Sequence, residues 1–280
     1  MIDFRRGDAK SVLEILESNS IDTCITSPPY WGLRDYGVEG QLGLEKTPEE
    51  YVNNLCDIFD EVYRVLKKTG TLWLNLGDTY NKGALQGIPW MVAFELKRRG
   101  WILRQDIIWA KPNPMPESVK NRCTKSHEHI FILSKSPKYY FDFESIKEPA
   151  VSKTGSPQDD WKFQEDHYKN LQYNGQSNHS FHKNRVNGVE YQSPDGMRRK
   201  RDVWNVSVKP FKEAHFATFP PDLIEPCVLA GCPEGGTTLD PFGGAGTTAL
   251  VSKKNNRNNI SIELNQEYID IAKKRLDGIL

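Results

Sequence analysis

The chain has 280 residues, which corresponds to about two domains or to one large domain with an insertion. Lysine plus arginine and aspartate plus glutamate both number 37, so a nucleic-acid partner would have to bind local basic patches, while 11% aromatic residues exclude a disordered chain. No apolar run approaches the roughly 20 residues of a membrane span, and no apolar stretch near the start could serve as a signal peptide, so we expect an intracellular protein without membrane attachment. The cysteines include no CxxC pair, so we expect no disulfides.

The first 150 residues alternate between strand and helix patterns. IDFRRGD and IDTCIT are predicted strands on either side of the helix AKSVLEILES. Thr47, with Pro48 after it and Glu50 three residues on, predicts the start of a helix that runs to Gly70. TLWLNL, ILRQDIIWA and HIFILS are further predicted strands, and PWMVAFELKRRG is a predicted helix. This alternation predicts an α/β layered fold.

The composition changes from Val151 to about Trp204. Residues 151–202 contain one leucine and no isoleucine, so this segment lacks a core of its own. Between residues 181 and 201, six basic side chains face only two acidic ones, and the basic ones are Lys183, Arg185, Arg198, Arg199, Lys200 and Arg201. Aromatic residues lie among these charges, as expected of a surface that contacts phosphates and stacks on bases, and a long solvated loop is the alternative interpretation.

The α/β pattern returns after residue 204. FPPDLIEPCVLAG, TTALVSKK and QEYIDIAKKRL are predicted helices, and TTLD and NNISIEL are predicted strands. The glycine turn at residues 240–248, DPFGGAGTT, lies between a strand and a helix, where a ligand can approach backbone N–H groups. It lacks the lysine of a Walker loop and the full dinucleotide spacing, so a phosphate-poor adenosyl ligand fits it better. Glu263 ends the next strand, where a carboxylate can accept both ribose hydroxyls.

TSPPY at residues 26–30 and DPFGGAGTT at residues 240–248 together resemble the beta class of S-adenosylmethionine-dependent DNA amino-methyltransferases. The similarity extends to HFATFPPDLIEP at residues 215–226 and to SIELN at residues 261–265, in the order of that family. The resemblance implies a circularly permuted, Rossmann-like fold with a seven-stranded, mostly parallel sheet and helices on both faces. It divides the chain into a catalytic half (1–150), a target-recognition insertion (151–204) and a cofactor-binding half (205–280).

The resemblance also implies the site residues. Binding of S-adenosylmethionine is expected from Asp8, Phe216, Thr218, Phe219, Asp240, Phe242, Gly244, Gly246, Thr247 and Glu263. Asp8 should lie near the adenine amine, although an Asp in a Gly-Asp turn is often only a cap. Contacts to double-stranded DNA are expected from Trp31, Lys183, Arg185, Arg198, Arg199 and Arg201. A cognate restriction endonuclease is left open as a partner.

The catalytic residues are expected to be Ser27, Pro28, Pro29 and Tyr30. An exocyclic amine is a poor nucleophile because its lone pair is delocalised into the ring, so acceptors must converge on its N–H groups. The Ser27 side chain and the Pro28 carbonyl are the candidates, and Tyr30 offers a face on which the flipped base can stack. The amine then attacks the sulfonium methyl directly, and alignment of the reactants supplies much of the rate.

The amine that is methylated is indicated by Ser27. Family members with serine before Pro-Pro-Tyr mostly act on cytosine N4, whereas those with aspartate or asparagine mostly act on adenine N6. Ser27 and the Trp31 that follows Tyr30 therefore favour cytosine, and adenine N6 remains the alternative because a hydroxyl can both donate and accept.

Other functions fit the sequence less well. Methylation of a ring carbon needs a cysteine nucleophile, but Cys227 lies in an apolar helical pattern typical of a small buried thiol. Cys123, His127 and His129 offer three ligands in no familiar spacing, so we expect no metal, with the two histidines on one side of a strand. A methyltransferase of protein amides or RNA, and a DNA-binding relative without catalysis, are lesser alternatives.

Overall fold

The computed structural model describes residues 1–35, 37–38, 40–150, 196–209 and 219–278. Most of the segment predicted to recognise DNA, residues 151–195, lies outside these ranges. The chain forms two compact units, one of Met1–Ile146 with Arg201–Leu280 and the other of Lys147–Lys200. The first unit contains the α/β sheet and every side chain of the site described below.

The elements of the first unit follow the predicted alternation. Its strands are β1 (Ile2–Arg6), β2 (Ile21–Thr26), β3 (Leu66–Leu76), β4 (Tyr80–Asn81), β5 (Ala84–Leu85), β6 (Ile102–Ala110), β7 (His127–Ser134), β10 (Val203–Asn205), β11 (Thr237–Asp240) and β12 (Asn258–Glu263). Its helices are α1 (Ala9–Glu14), α2 (Pro48–Val65), α3 (Ile88–Arg98), α4 (Pro221–Gly231), α5 (Thr247–Lys254) and α6 (Gln266–Asp277). The second unit contributes a short antiparallel pair, β8 (Glu148–Pro149) and β9 (Met197–Arg198).

The main sheet has the order β1-β12-β11-β2-β3-β7-β6-β10. Strand β7 is antiparallel to β3 and β6, and the other neighbouring pairs are parallel. Strands β11 and β12 lie between β1 and β2 in this sheet. The two strands of the predicted cofactor-binding half are therefore neighbours of the first two strands of the predicted catalytic half. The predicted α/β fold class is confirmed. The described residues contain eight strands in this sheet instead of seven, because Val203–Asn205 pairs with β6 at one edge.

Both faces of the sheet are covered by helices. Successive side chains of a strand point to opposite faces, so neighbouring residues enter different cores. Leu72 and Leu74 of β3 belong to the buried cluster that includes α2 and α3, whereas Trp73 between them belongs to the cluster that includes α4. Cys24 and Ile25 of β2 divide in the same way. These continuous apolar strands are typical of a parallel sheet buried on both sides.

Helix α2 begins as predicted and ends earlier. The Thr47 hydroxyl accepts a hydrogen bond from the Glu50 amide at 3.2 Å, which satisfies one amide of the first turn. The predicted extension to Gly70 is wrong, because the helix ends at Val65 and Leu66 already pairs with Ile21 of β2. Strand pairing with a distant segment overrides the helical periodicity here. No helix in the described ranges combines the length and apolarity that crossing a membrane requires.

Candidate active site

Three loops meet at the carboxyl edge of the sheet. Strands β2, β11 and β12 are parallel neighbours that end at Thr26, Asp240 and Glu263, so the segments following them emerge side by side. A cavity of about 190 Å³ opens at this edge. Ser27 and Pro29 line it together with Gly244 and Glu263. The two motifs that lie more than 200 residues apart in the sequence therefore share one cavity.

The glycine turn needs small residues for packing and for backbone conformation. Gly244 and Gly246 have φ angles of +48° and +73°, in the left-handed region that side chains disfavour. A Cβ on Gly246 would lie 2.7 Å from the Cβ of Ala272 in α6, and one on Gly243 would lie 2.9 Å from the Cβ of Ser261 in β12. The glycines let the turn pack against these elements and leave backbone along the cavity wall.

Asp240, a predicted cofactor residue, is buried with 1% of its surface exposed and does not line the cavity. Its Oδ1 accepts hydrogen bonds from the Thr26 hydroxyl at 2.7 Å and the Phe242 amide at 3.1 Å, and its Oδ2 accepts from the Thr248 hydroxyl at 2.7 Å. Burial raises the pKa of Asp240 to about 6, against the opposing effect of these hydrogen bonds. The structure therefore gives Asp240 the role of holding the glycine turn to β2.

Two carboxylates line the cavity. Glu263 accepts hydrogen bonds from the Gly244 amide at 2.8 Å and the Asn265 amide at 2.9 Å, and burial raises its pKa above the ordinary value. Asp8 caps α1, and its Oδ1 accepts from the amide and hydroxyl of Ser11, both at 2.9 Å. Each carboxylate oxygen has two lone pairs, so these bonds leave acceptor capacity toward a ligand.

The other predicted cofactor residues divide into three groups. Phe219, Phe242 and Thr247 line the cavity. Gly246 does not line it and instead begins helix α5 as its N-cap. Phe216 and Thr218 lie outside the described residues.

A part-buried polar network connects Ser27 and Tyr30 to Asn75, Lys111 and Glu128. The Tyr30 hydroxyl donates to Oε2 of Glu128 at 2.7 Å and lies 3.1 Å from the Ser27 hydroxyl. The Asn75 side-chain nitrogen donates to the Tyr30 oxygen at 2.7 Å and to Glu128 Oε2 at 2.8 Å. The Lys111 ammonium pairs with the other Glu128 oxygen. Asn75, Lys111 and Glu128 were not predicted from the sequence, where the only local signal was a polar residue at or near the end of an apolar strand.

The charges of this network follow from its partners. Burial by itself raises the pKa of Glu128, but Lys111, Tyr30 and Asn75 together lower that pKa below its ordinary value. Burial and the neighbouring Glu128 raise the pKa of Tyr30 well above its ordinary value. At neutral pH the network therefore contains an ionised Glu128 and a neutral Tyr30.

The remaining residues of the SPPY segment are held from α2 and the following loop. Pro28 is buried, and the Pro29 carbonyl accepts a 2.8 Å hydrogen bond from the Tyr51 hydroxyl. Trp31 is only 7% exposed, and its indole N–H donates to the Glu45 carbonyl at 2.9 Å. The ring of Trp31 thus packs into the core and leaves little surface for DNA, so the expected contact stays a prediction that this burial does not favour.

The predicted basic surface is described only in part. Arg198 pairs with Glu148 at 3.0 Å within the second unit, and Arg199 and Arg201 are exposed. Lys183 and Arg185 lie outside the described residues. The structure therefore leaves their contact with DNA as a prediction.

The side chains considered for a nucleophile and for a metal site have ordinary structural surroundings. Cys227 is fully buried, and its thiol contacts the Leu223 carbonyl at 3.5 Å, as the predicted small buried thiol requires. His127 and His129 lie on the same side of β7 with ring centroids 5.4 Å apart, as predicted, and His129 Nδ1 is 3.0 Å from Asp106. Within the described ranges, no group of three or more His, Cys, Asp or Glu side chains could hold a metal ion.

Comparison with known proteins identifies relatives along the whole chain. The sequence profile of the DNA methylase family matches residues 21–274. Type II methyltransferase M.Cfr9I of Citrobacter freundii is 42% identical over 97% of this chain and 86% of its own length. PvuII DNA methyltransferase, described as cytosine-N4-specific, superposes with a TM-score of 0.71 at 20% identity, covering 98% of this chain and 86% of that one. The M1.HpyAVI complex with S-adenosylmethionine superposes with a TM-score of 0.61 at 20% identity, covering 99% and 100%.

Proposed function

This chain belongs to the DNA methylase family of N6- and N4-amino-methyltransferases, and we propose that it methylates the N4 amine of cytosine in duplex DNA. The family acts on DNA and depends on S-adenosylmethionine. The observation that carries the proposal is the shared cavity, in which Ser27 and Pro29 face the same space as Gly244 and Glu263.

The cofactor side of the cavity suits an adenosyl group. The Glu263 carboxylate would accept the ribose hydroxyls, and Asp8 would accept from the adenine amine. The glycine turn would lie against the ligand through its backbone, because a Cβ on Gly243 or Gly246 would collide with its neighbours and displace the turn. Phe219 and Phe242 would supply apolar contacts. When bound, S-adenosylmethionine supplies an electrophilic methyl group that an amine can take without a covalent enzyme intermediate.

On the target side of the cavity, the Ser27 hydroxyl oxygen would accept from an N–H group of the amine, which favours a localised nitrogen lone pair. Pro28 is buried and does not line the cavity, so its carbonyl is proposed as a second acceptor that the flipped base would have to reach. Tyr30 would stack on the flipped base, and its ring is seated against Gly77, where a Cβ would lie 2.6 Å from the ring. Binding the base in this geometry supplies much of the rate because the reactants are aligned.

The choice of cytosine rests on Ser27. A hydroxyl before Pro-Pro-Tyr favours cytosine N4, and adenine N6 is the alternative. Digesting the methylated duplex to nucleosides and separating them by mass should yield N4-methylcytosine. A product of 6-methyladenine alone would overturn the choice of base and leave the family assignment intact.

DNA recognition is proposed for residues 151–204, between a catalytic half (1–150) and a cofactor-binding half (205–280). The basic residues Lys183, Arg185, Arg198, Arg199 and Arg201 would contact the DNA backbone or base edges. A cognate restriction endonuclease is proposed as the functional partner, because relatives carry the Type II designation. Labelled methyl transfer onto duplex DNA, compared with RNA and protein, tests the substrate class, and label on RNA or protein alone would refute it.

A further inference from the structure

Glu128 determines which groups donate and which accept in the hydrogen bonds among Tyr30, Asn75 and Ser27. An ionised carboxylate only accepts, so the single hydroxyl hydrogen of Tyr30 is committed to Glu128 Oε2 at 2.7 Å. The amide nitrogen of Asn75 only donates, and it donates to the Tyr30 oxygen at 2.7 Å. The Tyr30 oxygen is therefore an acceptor toward Ser27, which lies 3.1 Å away.

This direction determines what Ser27 presents to the cavity. Since Tyr30 has no hydrogen left to give, the Ser27 hydroxyl donates to Tyr30. The Asn75 side-chain nitrogen lies 3.3 Å from the Ser27 oxygen, but its two hydrogens are directed to the closer Tyr30 and Glu128 oxygens. The Ser27 oxygen therefore keeps acceptor capacity toward the cavity that Ser27 lines. An amine with N–H groups needs an acceptor there, and a hydroxyl hydrogen pointing the same way would oppose it.

We propose that Glu128, held ionised by Lys111, is a positioning residue that orients the Ser27 hydroxyl as an acceptor for the target amine. The inference rests on the proposed function, because it assigns a purpose to Ser27 in amine methylation. Glu128, Lys111 and Tyr30 all lie outside the lining of the cavity, so Lys111 acts through Glu128, and Glu128 acts through Tyr30 on Ser27, which does line it.

The groups facing Glu128 come from four segments. Lys111 follows β6 and lies 4.3 Å from the centre of the Trp109 ring, which helps to hold its ammonium group near the carboxylate. Tyr30 and Asn75 approach from the loop after β2 and from β3. Lys125 and His127, at the entry to β7, also interact electrostatically with Glu128. Lys111 makes the direct ion pair, so it is the residue whose removal should change the protonation of Glu128 most.

Two substitutions separate this role from a structural one. Glu128→Gln removes the charge, allows Tyr30 to donate toward Ser27, and should lower kcat about tenfold to a hundredfold with KM for S-adenosylmethionine nearly unchanged. Lys111→Met leaves the carboxylate buried without its cation, so the pKa of Glu128 should rise. Between about pH 5.5 and 9, the activity of this variant relative to the parent should therefore fall as the pH falls and recover as the pH rises. Taking this ratio removes any effect of Asp240, whose pKa is about 6.

The experiment measures single-turnover methyl transfer onto duplex DNA across this pH range. Glu49→Gln and Lys68→Met, at exposed positions, are the matched controls and should follow the parent profile. Lys111→Arg retains the cation and should restore the parent pH profile. Should Glu128→Gln fail to fold, the Lys111→Met profile decides, because recovery at high pH within one variant does not depend on comparing folded fractions.

The outcomes distinguish this inference from the proposed function. A parent enzyme that transfers no methyl group to DNA refutes the proposed function before any variant is considered. An active parent with full activity in Glu128→Gln, or with equal loss at every pH in Lys111→Met, refutes only the positioning role. A pH-dependent loss in Lys111→Met that Lys111→Arg reverses supports it.

Discussion

The Thr26 hydroxyl donates a 2.7 Å hydrogen bond to Oδ1 of Asp240, a residue 214 positions further along the chain. Thr26 directly precedes the SPPY segment, and Asp240 begins the glycine turn. The bond is buried and lies between adjacent parallel strands, so it aligns the ends of β2 and β11. The two walls of the cavity are thereby held in a common register.

Asp240 makes folding stability depend on pH. Its folded pKa, about 6, exceeds the ordinary value of 3.8, so between these values the native state binds more protons than the unfolded state. The contribution of Asp240 to the free energy of unfolding is therefore most favourable below about pH 4 and is lost as the pH rises to about 6. The upper bound of this change is about 3 kcal/mol. Urea unfolding of the parent and of Asp240→Asn from pH 4 to 7 measures it. The difference in unfolding free energy between the two proteins should change across this window, and a constant difference would contradict the prediction.

Glu263 should control cofactor affinity. In Glu263→Gln one carboxylate oxygen becomes an amide nitrogen, which only donates, so the side chain loses either the bond from the Gly244 amide or the bond from the Asn265 amide and has one acceptor oxygen left for ribose. We expect the Kd for S-adenosylmethionine to rise about tenfold to a hundredfold, as measured by isothermal titration calorimetry. Glu267→Gln, exposed in the first turn of α6, is the control. An unchanged Kd in Glu263→Gln would remove this residue from the binding site.

Ser27 should affect turnover and not cofactor binding. Ser27→Ala removes the acceptor proposed for the target amine and leaves the glycine turn and Glu263 intact. The variant should keep the parent Kd for S-adenosylmethionine and lose most of its kcat, about a hundredfold. Single-turnover transfer and calorimetry on the same preparation check both parts. If turnover is retained, Ser27 has no catalytic role.

The basic run should set the salt dependence of DNA binding. Replacing Arg198, Arg199 and Arg201 together with glutamine removes three candidate phosphate contacts. Each lost contact should lower the slope of log affinity against log salt by about 1. Fluorescence anisotropy with labelled duplex at several salt concentrations measures the slope. An identical slope in parent and variant would show that these arginines are ordinary surface residues.

Local sequence patterns were sufficient for most elements and for both motif segments. Thr47 marked the start of α2, and the apolar runs marked β2, β7 and β12, because capping and side-chain alternation depend on residues a few positions apart. A glycine turn alone is weak evidence for a ligand. Gly244 and Glu263 could be predicted to face one cavity because the turn is followed by a strand that ends in a carboxylate and because four motifs occur in the order of a known family. The end of α2 and the edge strand Val203–Asn205 could not be predicted in this way, since both depend on pairing with distant strands.

The sequence by itself determined the order of elements, the α/β class and the two segments that line the cavity, because each depends on the spacing of neighbouring residues. Only the tertiary structure decided that Asn75, Lys111 and Glu128 converge behind Tyr30, and that Trp31 is buried. Those contacts join β3, β7 and the segments that follow β2 and β6, which are remote from one another in sequence. A side chain's partners there depend on strand order and register, which no local pattern encodes.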